Sequence, residues 1–233
     1  INANIKTLNL HPVNILIIAA TKQEISLFQT EKSEEIHFYN SQEVETLISG
    51  PGILATAFSL TKKLKEKNYD LIINVGIAGS LDENIIPGDV VQVISEQIAD
   101  SGSEDHDNFL DLFDLGLLNA DEFPFKEKWL SPKSFTTPSL EKIKKVKAIT
   151  VNKAHGNENS IKQLKLRNTG QIESLEGAAC FYVCMLLKTN IIQLRAISNI
   201  VEPRNRSNWN IELAITNLNA SLNQLLNELL PPA

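Results

Sequence analysis

The stretch DLIINVGIAGSLDENIIPGDVVQVIS, residues 70–95, decides the fold because it holds two short apolar runs separated by a turn-rich segment. Both runs, 70–76 and 89–95, are rich in β-branched residues. Nearly continuous apolar runs of this length are typical of strands buried on both faces of a parallel or mixed sheet. Gly76 and Gly79 allow a ligand to approach the backbone closely. The segment therefore predicts two buried strands, and the glycines alone are a weak indication that a ligand binds between them.

Similar runs and intervening helical patterns are spread along the rest of the chain. The other strand-like runs are residues 14–20, 44–49, 147–152 and 191–198. The helical patterns are residues 22–29, 52–68, 174–190 and 210–230. Strands that alternate with helices are typical of layered α/β folds. We expect a three-layer α/β/α sandwich with a mixed central sheet, formed by a single domain over residues 1–233.

The bulk composition excludes some classes of partner. The 233-residue chain has a net charge of −6, and its basic residues are scattered. A nucleic-acid surface needs a stripe of positive potential, which this pattern does not offer. No run approaches the ~20 apolar residues of a membrane span. We therefore expect no nucleic-acid partner and no membrane association.

The cysteines and histidines are too few and too scattered for a metal site. Cys180 and Cys184 stand four residues apart in a helical pattern, which places both thiols on one apolar face. Free thiols of this kind are usually buried and suit a reducing compartment. The first residues lack the basic-then-apolar pattern of a signal peptide. We expect buried free cysteines, no metal, no cofactor and a cytoplasmic location.

Residues 101–138 interrupt the alternation with an acidic, aromatic and turn-rich segment of no clear periodicity. Long stretches of this kind are either surface insertions or functional loops such as lids. As a lid, the segment could supply apolar walls from its aromatic residues: Phe109, Phe113, Phe123, Phe125 and Trp129. The pattern leaves both interpretations open.

Two glutamates stand where ligands bind in open α/β sheets, beyond the carboxyl ends of strands. Glu24 follows the first strand in AATKQE, and Glu176 lies in the apolar segment LEGAACFYVCML. A carboxylate in apolar surroundings is costly without partners, so ligand hydroxyls are the functional partner that Glu176 suggests. Alternatively, Glu176 meets backbone N–H groups at a helix start, and Glu24 is an exposed residue of a first helical turn.

Six motifs, taken together and in order, resemble the nucleoside phosphorylase/hydrolase superfamily. They are AATKQEISLF, SGPGILATAF, DLIINVGIAGSL, PGDVV, SLEGAA and RAISN, within residues 14–225. The closer branch that they resemble is the 5′-methylthioadenosine/S-adenosylhomocysteine nucleosidases. This resemblance implies cleavage of the N-glycosidic bond of a small-molecule nucleoside. It also implies a homodimer in which the neighbouring subunit closes the 5′ side of the pocket.

The strings ESLEGAACFYVCMLL and RAISNIVEPRNRSNWNIELAITNLN are similar to a narrower branch, the futalosine hydrolases of the alternative menaquinone pathway. Futalosine is an inosine-like nucleoside with a 3-carboxyphenyl ketone chain at its 5′ position. The resemblance implies its hydrolysis to hypoxanthine and dehypoxanthine futalosine. The alternatives are a nucleosidase for methylthioadenosine, adenosylhomocysteine or aminofutalosine, a general inosine hydrolase, and a purine-nucleoside binder without turnover.

The resemblance also implies roles for individual residues. Glu24 would activate the attacking water, and Glu176 would bind the ribose hydroxyls. A carboxylate at the position of Glu24 favours water over phosphate, which it would repel. Asn199 would meet the N7 side of the purine. The remaining implied substrate contacts are Thr21, Ala78, Gly79, His155, Gly156, Leu175 and Ser198.

Asn199 departs from the aspartate that ends this motif in the adenine-releasing relatives. Hypoxanthine carries a carbonyl, O6, where adenine carries an amine, and an ionised aspartate would face O6 acceptor to acceptor. The asparagine amide can donate to O6 and accept from a protonated N7. We therefore interpret Asn199 as a determinant of 6-oxopurine specificity. A natural pseudo-enzyme and an engineered Asp→Asn change are the alternatives.

The 5′ carboxylate of such a substrate calls for a cation. Arginine is its natural bidentate partner, and Arg204 and Arg206 follow the last predicted strand. Each could equally be an exposed loop residue without a role. His106 and Lys126, both within 101–138, are further candidates, and the sequence does not choose among the four.

Overall fold

The structure, a computed structural model, describes residues 13–28 and 36–232. All six predicted strands are present, and their bounds are β1 Ile15–Ala19, β3 Gln42–Ile48, β4 Leu71–Ser80, β5 Val90–Ile98, β10 Lys144–Thr150 and β12 Asn190–Ile200. Six short strands were not predicted: β2 Ile36–Tyr39, β6 Gly102–Asp105, β7 Asn108–Asp111, β8 Phe125–Lys126, β9 Trp129–Leu130 and β11 Ile172–Ser174. The helices are α1 Ile53–Glu66, α2 Pro138–Lys142, α3 Glu158–Arg167, α4 Gly177–Leu186 and α5 Ile211–Leu229.

The central sheet is mixed, as predicted. Strand β1 pairs in parallel with β3 and β4, and β4 pairs in parallel with β12. Strand β12 then pairs antiparallel with β5, β5 pairs in parallel with β10, and β10 pairs in parallel with β11. Because β11 also pairs antiparallel with the end of β4, these five strands close into a ring. The ring brings the ends of β4, β11 and β12 together.

Helices cover both faces of the sheet, which confirms the three-layer architecture. Strand β1 is buried on both sides because alternate residues point in opposite directions. Leu16 and Ile18 join the core beneath α1 and α4. Ile15 and Ile17 join the core beneath α5. Cys180 and Cys184 lie in the first of these cores as buried free thiols, as predicted.

Residues 101–138 contain regular structure that their sequence pattern did not indicate. Strands β6 and β7 form a hairpin, and β8 and β9 form a second hairpin that extends the sheet from β5. Several aromatic side chains pack within the segment or against its neighbours, whereas Phe123 is 63% exposed. Phe113 meets Phe125 edge to face at 5.2 Å, and the ammonium of Lys147 lies 4.8 Å above the Trp129 ring.

Residues 22–28 also differ from the expected helix. They form a 3-10 helix with a non-helical residue, Ile25, inside it. Among the residues that the structure describes, no helix is long and apolar enough to cross a membrane.

Candidate active site

Glu24 is a buried carboxylate held by the loop after β1. Its Oε2 accepts hydrogen bonds from Thr21 N at 2.9 Å and Thr21 Oγ1 at 3.0 Å. Its Oε1 accepts from Ile77 N of β4 at 3.1 Å. The residue is 7% exposed, so the interpretation of Glu24 as an exposed first-turn residue is wrong. Donors on both oxygens fix the carboxylate at the carboxyl end of the sheet.

Glu176 stands at the start of α4 but does not cap that helix. Its Oε1 instead accepts from the backbone N–H of Gly52, which precedes α1, at 2.9 Å. Burial raises the pKa of the Glu176 carboxyl. The positive charge of Arg195 and the Gly52 hydrogen bond oppose that rise, and the negative charge of Glu24 adds to it. The two glutamates are therefore close enough for their negative charges to repel each other, and they belong to one site.

Arg195 is a buried cation in this site that the sequence analysis did not single out. It is 1% exposed, and its Nη2 donates to Asn74 Oδ1 at 2.7 Å. Its Nη1 donates to Leu194 O at 3.2 Å, while its Nε has no partner among the described residues. A Cβ at Gly76 would lie 3.0 Å from Glu24 Oε1 and 3.3 Å from Arg195 Nη1. Glycine at position 76 thus lets the guanidinium and the Glu24 carboxylate flank the same point of β4.

A β-bulge in β12 places Ser198 and Asn199 at the site. The pairing of β12 with β4 shifts register between Ile197 and Asn199, and such bulges redirect side chains. Ser198 Oγ donates to Asn199 Oδ1 at 2.8 Å, and Asn199 Nδ2 donates to Ile200 O at 2.9 Å. A carbonyl oxygen can only accept, so Ile200 fixes the orientation of the amide. One N–H of Nδ2 and one lone pair of Oδ1 remain for a ligand.

Glu173 and His155 form a buried polar pair beside Asn199. The Glu173 carboxylate accepts from His155 N at 2.9 Å and lies 2.7 Å from His155 Nδ1. A Cβ at Gly79 would lie 3.4 Å from Asn199 Nδ2 and 3.6 Å from Glu173 Cγ. His155 was predicted from the resemblance, whereas Glu173 was missed. The signal that could have indicated Glu173 is a charged residue inside the short buried strand β11.

The remaining predicted residues lie around this arrangement. The Ala78 carbonyl lies 3.3 Å from Ser198 Oγ, as a second and more distant acceptor beside Asn199 Oδ1. Leu175 is half-buried against the apolar cluster that α3 covers. Gly156 lies on the loop after β10, where its carbonyl accepts from Arg204 N at 2.9 Å. Together with Glu24 and Thr21, these residues lie at the ends and loops of β1, β4, β10, β11 and β12.

A cavity of about 670 Å³ borders the site on the side of His155. The β6–β7 hairpin and α3 form its walls, and Phe109, Lys153 and Arg167 line it. The guanidinium of Arg167 lies 4.1 Å above the Phe109 ring. His106 also lines this cavity from the hairpin turn, whereas Lys126 lies exposed on strand β8.

Glu96 is a fully buried carboxyl beneath the first turn of α4. It receives hydrogen bonds from Gln193 Nε2 at 2.6 Å and Thr150 Oγ1 at 3.0 Å. Thr150 Oγ1 in turn accepts from Ala178 N at 2.8 Å. Any side chain at Gly177 would collide with the Glu96 carboxyl. Glu96 thereby supports the helix start that carries Glu176.

The protonation of Glu96 should make stability depend on pH. Burial raises the pKa of its carboxyl to about 7, aided by the Glu176 charge and opposed by Gln193, Arg195 and Thr150. The raised pKa means that the folded state holds this proton more tightly than the unfolded state, so stability falls as pH rises from about 4.5 through 7. Glu96→Gln should remove this fall, worth about 2 kcal/mol, in urea unfolding at pH 5 and 7.5. Parallel pH profiles of the two proteins would contradict this role.

Comparisons with protein families, curated sequences and solved structures identify relatives of this chain. A family model described as the Phosphorylase superfamily matches residues 14–230. A futalosine hydrolase of Acidothermus cellulolyticus is 29% identical over 180 residues, which are 75% of this chain and 71% of that protein. A futalosine hydrolase of Streptomyces coelicolor is 27% identical over 163 residues, covering 70% and 67%. A solved 5′-methylthioadenosine/S-adenosylhomocysteine nucleosidase of Colwellia psychrerythraea, in complex with adenine, superposes with a TM-score of 0.75 at 20% identity, covering 94% and 96%.

Proposed function

Because this chain belongs to the phosphorylase superfamily, we propose that it hydrolyses the N-glycosidic bond of futalosine and releases hypoxanthine, a step of menaquinone biosynthesis. Two curated relatives with the name futalosine hydrolase support the choice of substrate. The products would be hypoxanthine and dehypoxanthine futalosine. No metal or cofactor takes part in the proposed reaction.

In this proposal Glu24 is the general base for water. Thr21 and Ile77 donate three hydrogen bonds to its carboxylate, which leaves one acceptor site, on Oε1, to take a proton from a water molecule. A phosphate nucleophile would meet this anion and be repelled. The positive charge of Arg195 lies near both glutamates. It offsets the electrostatic repulsion between the two carboxylates.

Glu176 would bind the ribose through its second oxygen, since Gly52 N–H already holds Oε1. As the C1′–N9 bond breaks, its electron pair moves to the base and positive charge develops on the sugar. Water attacks C1′ and gives its proton to Glu24, and the departing base takes up a proton from solvent. Two carboxylates near the sugar stabilise the positive charge that develops there.

The proposal that hypoxanthine is the released purine rests on the fixed amide of Asn199. Ile200 O accepts one hydrogen of Nδ2, which leaves the other hydrogen to donate to O6 of a 6-oxopurine. The free lone pair of Oδ1 can accept from a protonated N7. Adenine would place its exocyclic amine against that N–H donor, and a polar group left unpaired in such a site costs ~1–3 kcal/mol.

The direct test offers the protein four nucleosides in phosphate-free buffer and quantifies the freed base. We expect hypoxanthine release from futalosine, and slow or no base release from inosine, aminofutalosine and methylthioadenosine. Release of adenine as the main product would contradict the role of Asn199. Binding of futalosine without release of any base would favour a binder without turnover.

The homodimer that the resemblance implies is also part of the proposal. Leu54 and Phe58 lie one turn apart on α1, and they are 86% and 73% exposed. Apolar side chains exposed to this extent on one helix face favour a protein partner. Because α1 follows the Gly52 loop that binds Glu176, a second copy seated there would lie beside the site. The buried free thiols of Cys180 and Cys184 are consistent with a cytoplasmic enzyme.

A further inference from the structure

The loop between β12 and α5, residues 201–210, carries two arginines against one indole. The guanidinium of Arg204 lies 5.1 Å from the centre of the Trp209 ring, and that of Arg206 lies 5.7 Å from it. Both arginines are exposed, and Trp209 is half-buried. Nothing in the reaction described above uses this group, which we call the Arg–Trp cluster.

Three backbone hydrogen bonds fix this loop to the candidate active site. Val201 N donates to Ser80 O at 2.7 Å, and Asn210 N donates to Ser198 O at 2.7 Å. Arg204 N donates to Gly156 O at 2.9 Å. The loop therefore forms a rim that joins the ends of β4 and β12 to the loop after β10, and the Arg–Trp cluster stands on that rim.

No carboxylate of the described part of the chain neutralises the cations of the cluster. Within the described residues, neither guanidinium pairs with a carboxylate. The one carboxylate of the loop, Glu202, accepts instead from Asn208 Nδ2 at 2.6 Å. Two positive groups held against the same ring repel each other, and an anion between them relieves that repulsion. Guanidinium is also the side-chain group that best matches a carboxylate in a bidentate arrangement.

We propose that the Arg–Trp cluster is the subsite for an anionic aromatic group on the 5′ side of the nucleoside, with Arg204 and Arg206 holding its carboxylate and Trp209 stacking on its ring. This inference rests on the proposed function, since the 3-carboxyphenyl ketone of futalosine is such a group. It makes these two arginines, and not His106 or Lys126, the residues that bind the 5′ carboxylate.

The test measures equilibrium binding, so it does not depend on turnover. Futalosine and inosine are titrated by calorimetry into the Glu24→Gln protein, with and without the added pair Arg204→Ala and Arg206→Ala. We expect the pair to weaken futalosine binding at least about tenfold and to leave inosine binding within about twofold, as loss of a charge-assisted contact predicts. Equal losses of affinity for both ligands would overturn the proposal, because the arginines would then stabilise the loop and not bind the anion.

A matched control and a fragment probe sharpen the assignment. Arg167→Ala removes another arginine stacked on an aromatic ring, Phe109, and should leave futalosine binding unchanged. A loss in that variant would place the anion in the cavity beside His155 and contradict the subsite. In wild-type protein, 3-acetylbenzoate should quench tryptophan fluorescence more strongly than the uncharged 3-acetylbenzamide, and Trp209→Phe should abolish the difference. Equal quenching by the two fragments would also overturn the proposal, whether or not the protein releases any base.

Discussion

Replacing Glu24 by glutamine should lower hypoxanthine release from futalosine by about 10²–10⁴-fold, because the amide cannot accept a proton from water. The structure adds a second reason. Both oxygens of Glu24 accept from N–H donors, Thr21 N and Ile77 N. A glutamine must turn its NH₂ toward one of these donors, so the side chain also loses part of its anchoring.

The measurement compares steady-state release with equilibrium binding of futalosine to the variant. Binding should persist, since Glu176 and the residues around the base are untouched. Glu228→Gln is the matched control, because this glutamate is also hydrogen-bonded, to Ser139, but lies on α5 near its C-terminal end. Near-normal turnover of the Glu24 variant would refute its role in activating water.

Replacing Asn199 by aspartate should lower the preference for hypoxanthine over adenine by roughly a hundredfold. An ionised aspartate loses the donor to O6 and gains an acceptor for the exocyclic amine of adenine. It would also face Ile200 O, which now accepts from Asn199 Nδ2 at 2.9 Å. Two acceptors at that distance repel, so hypoxanthine release should fall more than adenine release rises.

The measurement is the ratio of kcat/KM for futalosine and aminofutalosine, before and after the substitution. Asn227→Asp makes the same change of charge on the exposed side of α5 and should leave the ratio unchanged. An unchanged ratio in the Asn199 variant would mean that another group reads position 6 of the purine. Glu173 and His155, which lie beside Gly79, would then be the first candidates.

The strands of the central sheet could be predicted because each is a continuous apolar run. Strand β1, for example, is buried at every position from Ile15 to Ala19. Strand β11 was missed because it has only three residues and one of them is Glu173. The hairpin of β6 and β7 was missed because its first strand, GSED, is exposed throughout and has no apolar alternation. Helix α3 was missed because only Ile161 and Leu164 are buried in it.

The candidate site was partly predictable for a similar reason. Glu24 and Glu176 stand out as carboxylates directly after a strand and within an apolar segment. Arg195 does not stand out, because its partner Asn74 lies on another strand, 121 residues away in sequence. Glu96 likewise meets Thr150 and Gln193 only in the folded chain. Charged residues inside strands that are buried on both faces were the signal, because such residues need a partner or a function.

The central claim is that this site hydrolyses a 6-oxopurine nucleoside, and a matched pair of substrates tests it most directly. Futalosine and aminofutalosine differ only at position 6 of the purine. The measurement is kcat/KM for base release from each, with wild-type protein in phosphate-free buffer. We predict a value for futalosine that is higher by at least about tenfold, set by the amide of Asn199. Equal values, or faster release of adenine from aminofutalosine, would contradict the account.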